Sequence, residues 1–309
     1  MQHIVSREMR KEAMLKTGDK VALVAMSDPQ RREAEDNIEK LIQTLKAMQL
    51  CPVPGDCIFG SSTGQQRAQV LMDFYRDEEV KAIFDISGGN LANGVLPYLD
   101  YEEIARSSKH FWGYSDLTTL INAVYAKTGK ASVLYQIRNM VSLDHSEQQT
   151  KAFQRAIFES ESVQEPRKRS ENSDLFQISY EFVQGNELCG VVVGGNTHCF
   201  LKLAGTPYLP DLTGKVLLLE ARSGLEPQIE TYMSQLAQMG VFDKVSGILL
   251  GTFTKLEAVA GMGSQVEILK KYVRKDLPIA MTRNIGHGTD SKAIWIGKEL
   301  VGNNLDEMF

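Results

Sequence analysis

The sequence predicts an α/β protein of two domains, a helix-covered parallel sheet followed by a mixed β domain with a few helices. Three observations carry this. Short apolar runs alternate with amphipathic stretches through the first half; a polar, charged stretch interrupts the middle; beyond it the apolar runs are β-branched and separated by turn residues. A chain of 309 residues has room for two cores.

KVALVAM (Lys20 to Met26) reads as a buried strand, and Arg32 to Met48 as an amphipathic helix. A second helical pattern runs from Gln65 to Tyr75, then KAIFDIS (Lys81 to Ser87) reads as a strand ending at Gly88 and Gly89. HFWGY (His110 to Tyr114) is strand-like, and Asp116 to Gly129 has helical spacing closed by a glycine C-cap. Repetition of strand and helix implies parallel pairing, because a parallel connection needs a crossover. From His145 to Asp174 the chain is polar, with a single helix expected around Lys151 to Phe158; this is the expected linker. The expected division is therefore 1–144, linker 145–174, and 175–309. In the last part FQISYEFVQG, ELCGVVVGG, KVLLLEA and VSGILLGTF read as strands, with a helix from Pro227 to Met239.

Net charge is -5, with 43% hydrophobic and 24% charged residues. An acidic balance argues against a nucleic-acid partner, which needs a concentrated basic surface. The charged N-terminal segment lacks the apolar core of a secretory signal, and there is no bilayer-length apolar run, so a cytoplasmic protein without a membrane partner is expected. Cys51, Cys57, Cys189 and Cys199 show no metal-ligand spacing, so reduced, mostly buried thiols and no metal or cofactor are expected.

Trp112-Gly113-Tyr114-Ser115-Asp116 places a serine where a buried strand meets a helix. A helix N-terminus offers unpaired N–H groups and partial positive charge, suited to an oxyanion. The segment resembles a nucleophile elbow with Leu117 in place of the second glycine; a plain N-cap is the competing explanation. A serine nucleophile needs a base, and among five histidines His198 and His287 are the candidates. His287 is preferred because Gly286 and Gly288 let backbone approach a ligand closely. Glu220 ends the apolar run KVLLLE, where an acid is either exposed or held by a buried imidazole.

These residues resemble the murein LD-carboxypeptidase family of serine peptidases, which includes the microcin C immunity peptidases. The resemblance spans about Gly18 to Gly302 and is carried by Ser87 to Ile104, Phe111 to Leu120, Gly194 to Glu220 and Ile285 to His287. It implies a Rossmann- or flavodoxin-like N-terminal domain, a mainly β, barrel-like C-terminal domain and an active site between them. It also implies a Ser115, Glu220, His287 triad, backbone N–H groups of Gly89 and Asp116 as the oxyanion hole, no cofactor, and a homodimer. The expected reaction is release of the terminal D-alanine from a murein tetrapeptide in cell-wall recycling. The chain departs from the family pattern at GGNLANG, at GGNTH, and at SVLYQIRNM (Ser132 to Met140), where a Gly-Pro segment is usual. A basic side chain would suit the substrate carboxylate, and Arg138, Arg222 and Arg283 are the candidates. The alternative substrate is a microcin-type peptidyl or aminoacyl nucleotide. A non-catalytic small-molecule-binding α/β protein is the third reading; the phosphate-binding glycine fingerprints it would use are absent.

Overall fold

The structure of the chain, a computed structural model, describes residues 2–4, 14–159 and 175–303. Its strands in chain order are β1 (Gln2–Ile4), β2 (Lys20–Val24), β3 (Cys51–Pro54), β4 (Val80–Asp85), β5 (His110–Gly113), β6 (Ser132–Leu134), β7 (Ile178–Gln184), β8 (Glu187–Asn196), β9 (Val216–Ala221), β10 (Gly247–Phe253), β11 (Ile279–Met281), β12 (Ile294–Ile296) and β13 (Glu299–Asn303). They make two sheets.

The first sheet has the order β12-β6-β5-β4-β2-β3 and is parallel except for β12. Helices Glu35–Ala47, Gly64–Arg76, Tyr101–Arg106 and Thr118–Thr128 connect its parallel strands. Local chemistry sets their ends. Thr63 and Gln66 form a capping box at the start of the second, and Gly129 closes the fourth in a left-handed conformation at φ 70°. Strands buried on both faces read as continuous apolar runs, as KVALV does. On one face Phe84, Trp112 and Phe153 meet edge to face with ring centroids 5.6 Å apart. Each such buried side chain contributes roughly 1.5–3 kcal/mol over an exposed one.

The second sheet has the order β1-β7-β11-β10-β9-β8-β13. Its outer pairings are antiparallel, and β1 and β13 approach each other, so the sheet curls toward a barrel. Its centre, β8 through β11, is parallel. The mixed character expected of this domain therefore includes a second set of helical crossovers, among them Thr197–Leu201 and Glu226–Gln238.

The division drawn from the sequence is crossed twice. β1 adds to the second sheet on β7, and β12 returns to the first sheet on β6. The expected linker begins with a helix longer than the one expected, Ser146–Phe158, whose Ala152, Phe153 and Ile157 are buried against the first sheet. Residues 160–174 lie outside the described residues. Thiol burial also needs correction: Cys57 and Cys199 are buried, whereas Cys51 and Cys189 are exposed. No helix among the described residues is long and apolar enough to cross a membrane.

The two domains share one apolar core through the helix Thr118–Thr128, with Leu117, Leu120 and Ile121 joining Val192, Val193 and Leu218. Asn122 fixes the register. Its Nδ2 donates to Gly194 O, and its Oδ1 accepts from Gly194 N, each at 2.8 Å. Asn196 N donates to Thr118 Oγ1 at 3.0 Å, and Thr119 Oγ1 donates to Cys199 O at 3.1 Å. The helix that follows Ser115 is thus bolted to the end of β8.

Candidate active site

Ser115 follows β5 and opens a short turn, Ser115–Leu117, that runs into the helix Thr118–Thr128. Its φ is 55°, a left-handed conformation that costs a residue with a side chain roughly 1–2 kcal/mol. Strain of this kind persists only where surrounding structure enforces it. Here Tyr114 is buried on one side and Asp116 on the other. The first N–H of the turn to find a backbone acceptor is that of Leu117, which donates to Tyr114 O at 3.0 Å. The N–H of Asp116 precedes it, among the groups a helix leaves unpaired at its start.

Glu220 lies in β9 and is fully buried. A buried carboxylate is tolerated only when it is paired and hydrogen-bonded. Its Oε2 meets His287 Nδ1 at 2.8 Å, and Oε1 accepts from Asn196 Nδ2 at 3.0 Å. On the far side of the imidazole, His287 Nε2 is 3.1 Å from Ser115 Oγ. Ser115, His287 and Glu220 therefore stand in one hydrogen-bonded series, drawn from both domains. An Nδ1–H held by the carboxylate leaves Nε2 as an acceptor for the serine proton.

The loop carrying His287 is clamped on several sides. Gly286 has φ 156°, and a Cβ there would lie 1.7 Å from Thr252 Oγ1, so only glycine fits. The Tyr114 hydroxyl donates to Gly286 O, and its ring lies 4.6 Å from the imidazole between centroids. Burial, reinforced by the nearby Glu220 carboxylate, pushes the Tyr114 phenol far above its ordinary range, which keeps it a donor. From the first domain, Asn139 Nδ2 donates to Ser291 Oγ at 2.9 Å and Gln149 Nε2 to Ser291 O at 3.2 Å.

The Gly88–Gly89 turn lies beside the serine: a Cβ on Gly88 would sit 3.8 Å from Ser115 Cβ. Gly89 has φ 135°, and a Cβ there would fall 2.2 Å from the Asp28 carboxylate. Asp28 Oδ1 accepts from Asn90 N at 2.9 Å. Beneath the turn, Asp85 takes Met26 N on Oδ2 at 2.7 Å, and both Ser87 N and Ser87 Oγ on Oδ1 at 2.6 Å. Burial outweighs these three donors and raises the Asp85 pKa to about 6. The Asp116 side chain binds the same region together: Oδ2 accepts from Ser27 Oγ at 2.6 Å and Ala92 N at 2.9 Å, and Oδ1 from Lys202 Nζ at 2.5 Å. Lys202 also donates to Asn90 O at 3.1 Å, so the second domain reaches the turn directly.

The other sequence candidates fall elsewhere. His198 is exposed and pairs with the Tyr232 hydroxyl at 3.2 Å; Arg283 is exposed on the loop before His287. Asn122, Asn196 and Lys202 were not singled out in the sequence. Only Asn196 had a signal there, as part of GGNTH.

A serine, an imidazole and a carboxylate in hydrogen-bonded series at a strand–helix turn is the arrangement of serine hydrolases, which recurs on unrelated frames. The chain belongs to the LD-carboxypeptidase family of peptidases: residues 21–135 match its N-terminal domain and residues 189–301 its C-terminal domain. It is similar to a probable murein peptide carboxypeptidase of Bacillus subtilis (strain 168), 26% identical over 303 residues and covering 96% of this chain and 92% of that one. It is also similar to the microcin C7 self-immunity protein MccF of Escherichia coli, 26% identical over 294 residues and covering 86% of this chain and 85% of that one. Among solved structures, an MccF-like protein from Bacillus anthracis str. Ames superimposes with a TM-score of 0.79 at 26% identity, covering 96% of each chain.

Proposed function

We propose that this chain is a serine-type LD-carboxypeptidase that releases the terminal D-alanine of murein tetrapeptides during cell-wall recycling. Ser115 is the nucleophile, His287 the base, Glu220 the orienting carboxylate, and the N–H groups of Gly89 and Asp116 the oxyanion donors. The observation that carries the reading is the hydrogen-bonded series from Ser115 Oγ through His287 to Glu220, opening at a strained serine before a helix.

In this reading neutral His287 takes the Ser115 proton on Nε2 as Oγ attacks the amide carbonyl, and Glu220 stabilises the imidazolium. The tetrahedral oxyanion is met by N–H groups already oriented, so little reorganisation is needed as charge develops. Nε2–H then protonates the departing amine, and D-alanine leaves with a new N–H bond. Water attacks the acyl-enzyme, giving its proton to His287, and the Ser115–acyl bond breaks as Oγ regains the proton. No group outside the chain and water is required for atoms and charge to balance.

A second reading keeps this machinery and changes the substrate to a microcin-type peptidyl or aminoacyl nucleotide. It is supported by the similarity to the Escherichia coli and Bacillus anthracis proteins, at the same 26% identity as the murein enzyme.

The test is to incubate the protein and its Ser115→Ala variant with a murein tetrapeptide, and separately with a peptidyl nucleotide, following products by mass spectrometry. Release of D-alanine by the unsubstituted protein alone is the expected result. Cleavage confined to the nucleotide conjugate favours the second reading, and product formation by Ser115→Ala removes the serine mechanism.

A further inference from the structure

Asn90 and Leu91, just past the Gly88–Gly89 turn, belong to no helix or strand, so their backbone groups need side-chain partners. Asn90 N donates to Asp28 Oδ1 at 2.9 Å, and Leu91 N to Ser27 Oγ at 3.4 Å. Arg67 Nη2 donates to Leu91 O at 3.0 Å, and Ala92 N donates to Asp116 Oδ2 at 2.9 Å. The remaining carbonyl, Asn90 O, accepts from Lys202 Nζ at 3.1 Å. Of these five side chains Lys202 alone comes from the second domain, and its Nζ also reaches Asp116 Oδ1 at 2.5 Å.

Lys202 is the C-cap of the helix Thr197–Leu201, and Asn196 is the N-cap of that same helix. Asn196 holds Glu220 Oε1, the carboxylate behind the base, while Lys202 holds the carboxylate of the residue next to Ser115. One short helix thus ties the acid end of the Ser115, His287, Glu220 series to the turn beside the serine. Charge makes the second tie matter. Asp116 is fully buried, the Lys202 side chain is 16% exposed, and a buried carboxylate that loses its cation is left uncompensated. A bare negative charge on the residue after the nucleophile would oppose the oxyanion that its own N–H is placed to meet.

We propose that Lys202 is a positioning residue for the reaction. Acting through Asp116 and Asn90 O, it neutralises the buried carboxylate and holds the Gly89 and Asp116 N–H groups on the oxyanion. The proposal rests on the serine mechanism set out above and deepens it. It gives the second domain a part in the oxyanion side of the site as well as in the triad.

The experiment measures kcat and KM on the murein tetrapeptide, with kcat referred to the folded fraction from near-ultraviolet circular dichroism. Lys202→Met should lower kcat by roughly 10- to 100-fold with KM nearly unchanged. Lys202→Arg, which keeps the charge, should restore most of it. In an Asp116→Asn background the same Lys202→Met change should cost little, because no buried charge is left to neutralise. Should Lys202→Met not fold, Lys202→Gln takes its place with the same loss expected. An unchanged kcat per folded molecule, a loss confined to KM, or a loss equally large in Asp116→Asn overturns the proposal. A second arm needs no peptide: a fluorophosphonate probe forms a bond from Ser115 Oγ to phosphorus and expels fluoride, and intact mass follows the rate against a Ser115→Ala blank. If neither the tetrapeptide nor the peptidyl nucleotide is cleaved, yet Ser115 is labelled and Lys202→Met slows labelling, the positioning role stands and the carboxypeptidase reading falls. A protein that cleaves nothing and whose Ser115 is not labelled overturns both.

Discussion

The carboxamide of Asn196 donates to Glu220 Oε1 at 3.0 Å, taking the carboxylate oxygen that His287 leaves free. The same Asn196 caps the helix Thr197–Leu201 through Oδ1, which accepts from Cys199 N at 3.3 Å. Its side chain is fixed at both ends, and so is the carboxylate it holds. Asn196→Ala should lower kcat about tenfold, the equivalent of one net hydrogen bond, with KM nearly unchanged. Steady-state kinetics on the tetrapeptide checks this. A rise in KM at constant kcat would instead place Asn196 in substrate binding.

The sequence showed the parts of this site that local pattern encodes. A buried strand running into a helix marks Ser115, an acid ending KVLLLE marks Glu220, and flanking glycines mark His287. Asn196 and Asn122 were hidden because their roles depend on partners 24 and 72 residues away. The strands that cross between domains were equally hidden. β1 and β12 are three residues each, too short for a period, and their pairing with β7 and β6 is decided by long-range packing. The helix Ser146–Phe158 was underestimated because its exposed face is charged. Yet Gln149, Ala152, Phe153 and Ile157, spaced as one helical face, are buried.

Ser115 is held at φ 55°, and glycine adopts that conformation without penalty. Ser115→Gly should therefore be more stable than Ser115→Ala by about 1 kcal/mol, although glycine ordinarily destabilises a folded chain. Both variants lack the Ser115 hydroxyl, so stability can be compared apart from activity. Urea unfolding of the pair is the measurement. An alanine variant as stable as the glycine one would show that the turn carries no strain.

Asp85 gives a pH dependence whose sign can be worked out. Burial raises its folded pKa to about 6, from 3.8 in the unfolded chain. Between those values the folded protein keeps a proton that the unfolded chain has released. Stability contributed by this group is therefore present below about pH 4 and lost as pH rises to about 6. At about 1.4 kcal/mol per pH unit, the window is worth about 3 kcal/mol. Asp85→Asn removes the titration, so the stability of the unsubstituted protein minus that of the variant should fall across pH 4 to 6 and stay level above it. Denaturant titrations at four pH values test this, and a difference that grows with pH would contradict the assignment.

Asn122 joins the helix that follows Ser115 to the strand that ends at Asn196, and it does so by answering both the N–H and the C=O of Gly194 at 2.8 Å. Asn122 and Gly194 are both buried, so no water replaces the amide once it is removed. Asn122→Ala leaves a donor and an acceptor without partners, at about 1–3 kcal/mol for each group. The loss should exceed that of Thr119→Ala, which removes a single hydroxyl donor to Cys199 O. It should also reach the chemistry. Ser115 stands at the start of this helix and Glu220 beside Asn196, so slack in the joint lengthens the path from Ser115 Oγ through His287 to Glu220. An added misplacement near 1 Å lowers turnover by up to about 100-fold. Asn122→Asp keeps the acceptor for Gly194 N but faces the carbonyl oxygen with a second oxygen, and should be at least as damaging as alanine. Measuring unfolding free energy and kcat on the same three variants separates the possibilities. If Asn122→Ala loses stability while its folded fraction turns over at the full rate, the joint stabilises the domains without setting the geometry of the site.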